Sequence, residues 1–116
     1  MDDLKQEDTE AIGNDPTLLL VDDDKPFLQR LARAREGRGF QVTPAESVEE
    51  GIAAAKASAP AYAVVDMRLG DGNGLDVIEA IRTRRTDTRA IVLTGYGNIA
   101  TAVNAVKLGA IDYLSK

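Results

Sequence analysis

Residues 17–24 read TLLLVDDD, an apolar run that ends at three consecutive aspartates. The run Thr17–Val21 is too short for a helix, and its unbroken apolar character favours a parallel strand buried on both faces. One run downstream, Phe40–Pro44, contains a proline, which is tolerated in a strand at a sheet edge. Three further strands are predicted at Tyr62–Val65, Ala90–Leu93 and Ile111–Leu114.

Longer amphipathic segments separate these strands. The first helix opens at Pro26, a residue suited to a first helical turn, and Gly39 ends it. Ser47 and Glu50 are spaced as a capping box at the start of the second helix. Two more helices are predicted at Leu75–Arg84 and Ile99–Leu108. This strict alternation predicts an α/β fold with a doubly wound, five-stranded parallel sheet.

The composition narrows the possible chemistry. The chain has 116 residues, which fits a single domain, and it contains neither cysteine nor histidine. Thiolate chemistry and a Ser-His-Asp triad are therefore excluded. No apolar run is long enough to span a membrane, and the N-terminus lacks the apolar stretch of a signal peptide. These features predict a cytoplasmic protein that does not associate with membranes.

The acidic charge is concentrated at one end of the chain. Residues 1–16 hold six acidic side chains and one lysine, whereas residues 17–116 hold 13 of each sign. We therefore expect residues 1–16 to form a disordered acidic tail and residues 17–116 to form the domain. No broad basic face is evident, so direct binding to nucleic acid is not expected.

Ionisable and hydroxyl side chains follow four of the five predicted strands. The residues at these positions are Asp22 to Asp24, Asp66, Thr94 and Lys116. Ligands of open parallel sheets bind at the carboxyl ends of the strands, where these side chains should meet. Convergent carboxylates repel one another unless a cation neutralises them, and Mg²⁺ prefers such oxygen ligands. Taken singly, each residue could be a helix cap or a surface side chain, but together they suit phosphoryl transfer to an aspartate.

Four segments together resemble the receiver domain of two-component response regulators. They are LLLVDDD (18–24), VVDMRLGDGNG (64–74), IVLTGYG (91–97) and GAIDYLSK (109–116). The resemblance covers residues 17–116 and is greatest to redox-responsive regulators of the RegA/ActR type. It implies a flavodoxin-like receiver fold that is not an enzyme but receives a phosphoryl group from a sensor histidine kinase.

The resemblance also implies roles for individual residues. Asp66 would be the phosphoacceptor and would contribute to a Mg²⁺ site. Asp22 and Asp23 would be the acidic pair that positions the metal, with Asp23 favoured as the direct ligand. The backbone carbonyl of Arg68 would complete the protein's share of the coordination.

Three residues near the C-terminus would act on the phosphoryl group or respond to it. Thr94 would hydrogen-bond one phosphoryl oxygen and Lys116 would pair with another. Tyr113 stands where receivers keep the aromatic side chain of their conformational switch. The surface read by partners would then be the fourth helix and fifth strand, residues 98–114, and it would control a transcriptional output absent from this chain.

The sequence departs from the family pattern inside the domain. Gly70 stands where many receivers have proline, which should loosen the loop after Asp66. Arg35 falls on a helix face that is usually apolar, and Gly37 lies near the end of the same helix. We expect these two residues to weaken the C-terminal half of the first helix.

The sequence stops at Lys116, before the last helix and the output domain of the family, so we expect a truncated receiver. Without that helix, apolar side chains of the first and last strands should lose their cover. They would come from among Leu18, Leu20, Ile111 and Leu114. Exposed apolar patches favour association, so a homodimer or a swapped oligomer is expected.

Two other functions are open at this stage. The pair Asp22 and Asp24 forms a D-x-D motif, like that of a haloacid-dehalogenase-type phosphatase. That assignment leaves Asp66 and its glycine-rich loop unexplained. The other alternative is a receiver-like module that binds partners without being phosphorylated.

Overall fold

The structure is a computed structural model that describes residues 14–94 and 112–115. Its first strand, β1 (Thr17–Val21), has every side chain buried except that of Thr17, which is half-buried. The remaining strands are β2 (Gln41–Ala45), β3 (Tyr62–Asp66), β4 (Arg68–Leu69), β5 (Gly72–Asn73), β6 (Arg89–Thr94) and β7 (Asp112–Ser115). The predicted strands are thus found within one or two residues, while the short strands β4 and β5 were not predicted.

Three helices are described, and each begins at a side-chain cap. They are α1 (Lys25–Glu36), α2 (Val48–Ala57) and α3 (Gly74–Arg84). The backbone N–H of Phe27 donates to Asp24 at the start of α1, and that of Glu50 donates to Ser47 Oγ at 3.0 Å in α2. Asn73 accepts from the N–H of Leu75 at 2.8 Å in α3. These caps satisfy backbone donors that have no partner within the helix.

Five strands form one parallel sheet in the order β2-β1-β3-β6-β7. This confirms the doubly wound, five-stranded parallel sheet predicted from the sequence. Among the described strands β2 lies at an edge, as its Pro44 indicated. The predicted helix Ile99–Leu108 and residues 1–13 of the acidic tail lie outside the described residues.

The two faces of the sheet carry separate hydrophobic clusters. Because side chains alternate along a strand, Leu19 and Val21 point to one face and Leu18 and Leu20 to the other. The larger cluster lies between the sheet and helices α2 and α3. The smaller one is closed by Leu28, the one fully buried residue of α1.

The expected loss of cover over β1 was wrong. Leu18 is 3% exposed and Leu20 is 0% exposed, because α1 lays Leu28 across them. Ile111 lies outside the described residues, as does the side chain of Leu114. Several side chains on this face are nevertheless only partly buried, namely Leu31, Ala32, Phe40, Val42, Tyr62 and Val64.

The end of α1 differs in one respect from the expectation. Arg35 is exposed, so its charge stays in water. Helix α1 ends at Glu36, and Gly37 is its C-cap, with φ −63° and ψ −19°. Gly37 therefore does not carry the free-energy penalty of a glycine inside a helix. The turn is completed by Gly39, whose φ of 99° favours glycine.

None of the helices within the described residues is both long enough and apolar enough to cross a bilayer.

Candidate functional site

The topology brings the ends of β1 and β3 together at the centre of the sheet. The chain turns to opposite sides from these two neighbouring strands, and such a switch point is where open α/β sheets bind ligands. Val21 pairs with Val65, so the next residues along the two strands are Asp22 and Asp66. Both carboxylates thus lie at the edge of the sheet where parallel strands end.

Three of the residues singled out from the sequence form one acidic cluster. Single carboxylate oxygens of Asp22, Asp23 and Asp66 all lie within 4.8 Å of one another. Asp22 is 1% exposed and Asp66 is 5% exposed, whereas Asp23 is open to solvent. The cluster therefore has two buried members and one through which water or a ligand can enter.

This arrangement is electrostatically unfavourable by itself. Two unit negative charges at the upper limit of this spacing, 4.8 Å, repel by about 3.5 kcal/mol at an effective dielectric constant of about 20. Carboxylate oxygens are the hard ligands that Mg²⁺ takes, and ligands on opposite sides of that ion are about 4 Å apart. The chemistry and spacing of the cluster in residues 14–94 therefore suit a small divalent cation.

Asp24, the third aspartate after β1, does not belong to the cluster. Its carboxylate accepts the backbone N–H of Phe27 at 3.2 Å and caps α1, while its own N–H donates to Asp22 Oδ1 at 2.9 Å. Asp24 therefore starts the helix and orients Asp22. The D-x-D pair of the phosphatase alternative is thus divided between a site residue and a cap.

Asp66 is the last residue of β3, and the backbone around it is tightly fixed. The N–H of Arg68 donates to Asp66 Oδ1 at 3.2 Å, so the loop that carries the Arg68 carbonyl is held against the acidic cluster. The N–H of Met67 donates to the carbonyl of Leu93 on β6 at 3.0 Å. These bonds hold the end of β3 between the loop and the neighbouring strand.

The backbone of Gly74 lies close to the backbone of Asp66. A Cβ atom at this position would lie 2.1 Å from the Asp66 carbonyl oxygen, which no side chain can tolerate. Its N–H donates to the Met67 carbonyl at 3.0 Å. Gly74 thus lets the first turn of α3 press against the end of β3. The glycine-rich loop is evident from the sequence, but this contact could not be predicted from it.

Of the other predicted site residues, the structure describes Thr94 fully and Tyr113 by its backbone. Asp66 pairs in register with Leu93, so Thr94 lies one position further along β6, and it is 1% exposed. The backbone of Tyr113 lies in β7, paired with Val92. Lys116 and the side chain of Tyr113 lie outside the described residues.

The loop after Asp66 is a short hairpin rather than an irregular coil. Strands β4 and β5 pair antiparallel, with Arg68 opposite Asn73 and Leu69 opposite Gly72. At its tip, Asp71 accepts the N–H of Val48 at 2.8 Å and that of Glu49 at 3.1 Å. These bonds, the Val48 bond first, lower the pKa of Asp71. Asp71 was missed from sequence because its partners lie more than 20 residues away.

Comparison with protein families identifies the fold and the site together. Residues 18–116 match the model of the response regulator receiver domain. The chain belongs to this family. Receiver domains are regulatory modules of two-component systems and not enzymes in the usual sense. The sequence-based assignment to the receiver family is confirmed, and the haloacid-dehalogenase alternative loses its support.

The receiver domain is similar to named regulators along most of its length. It is 72% identical over 109 residues to the acid tolerance regulatory protein ActR of Sinorhizobium medicae, covering 94% of this chain and 56% of that protein. It is 68% identical over 105 residues to the photosynthetic apparatus regulatory protein RegA of Cereibacter sphaeroides, covering 90% and 57%. The predicted similarity to RegA and ActR is thus confirmed. The receiver spans a little over half the length of these curated relatives.

A solved structure shows the same architecture. It is a response regulator protein from Burkholderia pseudomallei with a phosphorylated aspartic acid, a calcium ion and citrate. The two chains are 42% identical with a TM-score of 0.82, over 88% of this chain and 60% of that one.

Proposed function

We propose that this receiver domain accepts a phosphoryl group on Asp66 from a sensor histidine kinase, in a Mg²⁺-dependent reaction. The observation that carries the proposal is the convergence of Asp22, Asp23 and Asp66 within 4.8 Å at the switch point of the sheet. The phosphorylated aspartate and divalent ion of the related Burkholderia structure support the same chemistry.

The chemistry assigns one task to each side chain. An Asp66 carboxylate oxygen attacks phosphorus, the bond to the donor nitrogen breaks, and an acyl phosphate forms. Asp22, Asp23 and the Arg68 carbonyl would hold Mg²⁺ beside Asp66. When bound, the ion would offset the charge of the phosphoryl oxygens. The hydroxyl of Thr94 would donate to one of these oxygens.

We further propose that phosphorylation switches a surface for an output elsewhere in the protein. Lys116 would pair with a phosphoryl oxygen, Thr94 would move toward the group, and Tyr113 would turn inward behind it. Residues 98–114 would form the surface that changes. The relatives are named as regulatory proteins, which supports a regulatory output that we propose to be transcriptional. We also propose that the receiver is cytoplasmic and does not itself bind nucleic acid or membranes.

Asp66→Asn tests the phosphoacceptor. With acetyl phosphate and Mg²⁺, wild type should gain one hydroxylamine-sensitive phosphoryl group by mass spectrometry, and Asp66→Asn should gain none. Asp24→Asn is the matched control because it removes a neighbouring charge outside the cluster and keeps a good helix cap. Equal labelling of Asp66→Asn would refute the assignment. No labelling of wild type by either acetyl phosphate or a kinase would favour the phosphorylation-independent module.

We also propose that the receiver self-associates, through half-buried apolar side chains rather than through the side chains of β1. Leu18 and Leu20 are covered, but Leu31, Tyr62 and Val64 form a half-buried apolar face beside α1. Such a face gains free energy when a second copy covers it. Light scattering should show a concentration-dependent dimer, and a monomer at all concentrations would contradict the proposal.

A further inference from the structure

The tip of the β4–β5 hairpin is tied to a distant helix by a single side chain. Both carboxylate oxygens of Asp71 accept hydrogen bonds from the first turn of α2, at 2.8 Å from Val48 N and 3.1 Å from Glu49 N. The third donor of that turn, Glu50 N–H, is taken by Ser47 Oγ at 3.0 Å. The N-terminus of α2 is thus capped by two residues, and one of them belongs to the hairpin.

The hairpin needs such a tie because its tip is intrinsically loose. Asp71 stands between Gly70 and Gly72, and Gly72 has a φ of +155°. Glycine gives the chain more conformational freedom than other residues, and that freedom must be lost when the loop is ordered. Proline, which restricts this loop in many receivers, is absent at position 70.

The same hairpin touches the acidic cluster on its other side. A Cβ atom at Gly70 would lie 3.8 Å from Asp23 Oδ2, and the N–H of Arg68 donates to Asp66 at 3.2 Å. A displacement at the tip therefore moves the segment whose carbonyl, at Arg68, is assigned to the metal.

We propose that Asp71 is a positioning residue that orders the β4–β5 hairpin for metal binding by fixing it to the N-terminus of α2. It replaces the restriction that proline supplies elsewhere. This inference rests on the proposed function, because it concerns the Mg²⁺ site of the same reaction. Asp71 is not a member of the acidic cluster and is not assigned to the metal or to the phosphoryl group. Its removal should change the fraction of molecules with an ordered hairpin rather than the chemistry at Asp66.

The test compares Asp71→Ala with Ser47→Ala. Both substitutions remove caps from the same helix end, so both should lower thermal stability, but only the first frees the hairpin. The apparent Kd for Mg²⁺, followed by NMR shifts of the hairpin amides, should rise about three- to tenfold in Asp71→Ala because fewer molecules are competent to bind. Ser47→Ala should bind Mg²⁺ like wild type. Asp71→Asn keeps one acceptor oxygen and should give an intermediate Kd.

A second readout separates positioning from chemistry. At saturating Mg²⁺ the phosphorylation rate of Asp71→Ala should return to within about twofold of wild type, since the metal then selects the ordered hairpin. Equal Mg²⁺ affinity for Asp71→Ala and Ser47→Ala would overturn the inference, as would a rate that saturating metal does not restore. If Asp71→Ala does not fold, the Asp71→Asn comparison decides.

Hydrogen exchange keeps the inference distinct from the proposed function. In the absence of metal, the amides of residues 69–72 should exchange faster in Asp71→Ala than in Ser47→Ala. A wild-type protein that neither binds Mg²⁺ nor takes a phosphoryl group would refute the proposed function alone. Unchanged amide exchange of residues 69–72 in Asp71→Ala would refute the positioning role of Asp71 alone.

Discussion

The two ends of the central sheet use carboxylates in opposite ways. At the end where the strands begin, Asp15 is surrounded by donors: Thr17 N–H at 3.1 Å, Thr17 Oγ at 2.7 Å and the Arg85 guanidinium at 2.7 Å. At the end where the strands finish, Asp22, Asp23 and Asp66 share one small volume. One end matches charge with donors, and the other concentrates like charge.

At the donor-rich end, side-chain hydroxyls also form hydrogen bonds with backbone groups of the neighbouring loop. Thr17 Oγ accepts the N–H of Ala61 at 2.9 Å, and the hydroxyl of Thr88 donates to the Pro60 carbonyl at 2.7 Å. These bonds leave this end with a structural role. At the acidic end the grouped carboxylates repel one another, and under the proposed function a bound cation would offset that repulsion.

The largest loss of stability should come from a substitution that pushes apart the backbone segments at the acidic end. Gly74→Ala would place a Cβ 2.1 Å from the Asp66 carbonyl oxygen and 2.9 Å from a Val65 methyl, so β3 and α3 must separate. Overpacking against backbone should lower the free energy of unfolding by about 3 kcal/mol or more. Urea denaturation measures this loss, and phosphorylation of any folded fraction should fall as well.

Gly37→Ala is the matched control for that substitution. Its Cβ would meet only carbonyl oxygens at 3.5 Å, and its φ of −63° suits alanine. We expect unfolding free energy to stay the same or to rise by about 0.4–1 kcal/mol. Equal losses in the two variants would show that the close approach at Gly74 does not constrain the site.

Removing one carboxylate from the acidic end should change stability relative to wild type, and the sign of this change should depend on whether Mg²⁺ is bound. Without Mg²⁺, Asp23→Ala should be at least as stable as wild type because one repelling carboxylate is gone. With Mg²⁺ at 100 times its Kd, wild type should gain about 2.7 kcal/mol and the variant much less. Thermal melts with and without MgCl₂ measure both arms. A variant that gains as much as wild type would exclude Asp23 as a ligand.

The smallest effect is expected at the donor-rich end, and it should appear in acid. Hydrogen bonds from Thr17, then from Arg85, lower the pKa of Asp15 from 3.8 to about 2. A depressed pKa stabilises the folded state above pH 3.8, and this contribution disappears as the pH falls toward 2. The difference in melting temperature between wild type and Asp15→Asn should therefore shrink over that interval. Asp87→Asn, which leaves the Asp15–Arg85 pair in place, should not reproduce this pattern.

The acidic end was largely predictable from sequence, and the donor-rich end was not. The apolar runs located the strand ends, and neighbouring parallel strands finish at the same edge of a sheet. The proximity of Asp22, Asp23 and Asp66 could therefore be predicted from the sequence alone. Asp15 was assigned to the acidic tail because nothing local shows that Arg85, 70 residues later, returns to it. Asp71 was missed for the same reason. Contacts set by a strand's direction can be predicted, whereas those set by one long-range side chain cannot.

The composition of β2 has a consequence for how the protein behaves at high concentration. Among the described strands β2 pairs on one side only, and its sequence QVTPA offers two polar side chains and a proline. An edge strand presents backbone groups on which another chain can add as a further strand, and a proline lacks the N–H that such a ladder needs. Pro44 therefore protects this margin of the sheet against cross-β growth and amyloid-like aggregation.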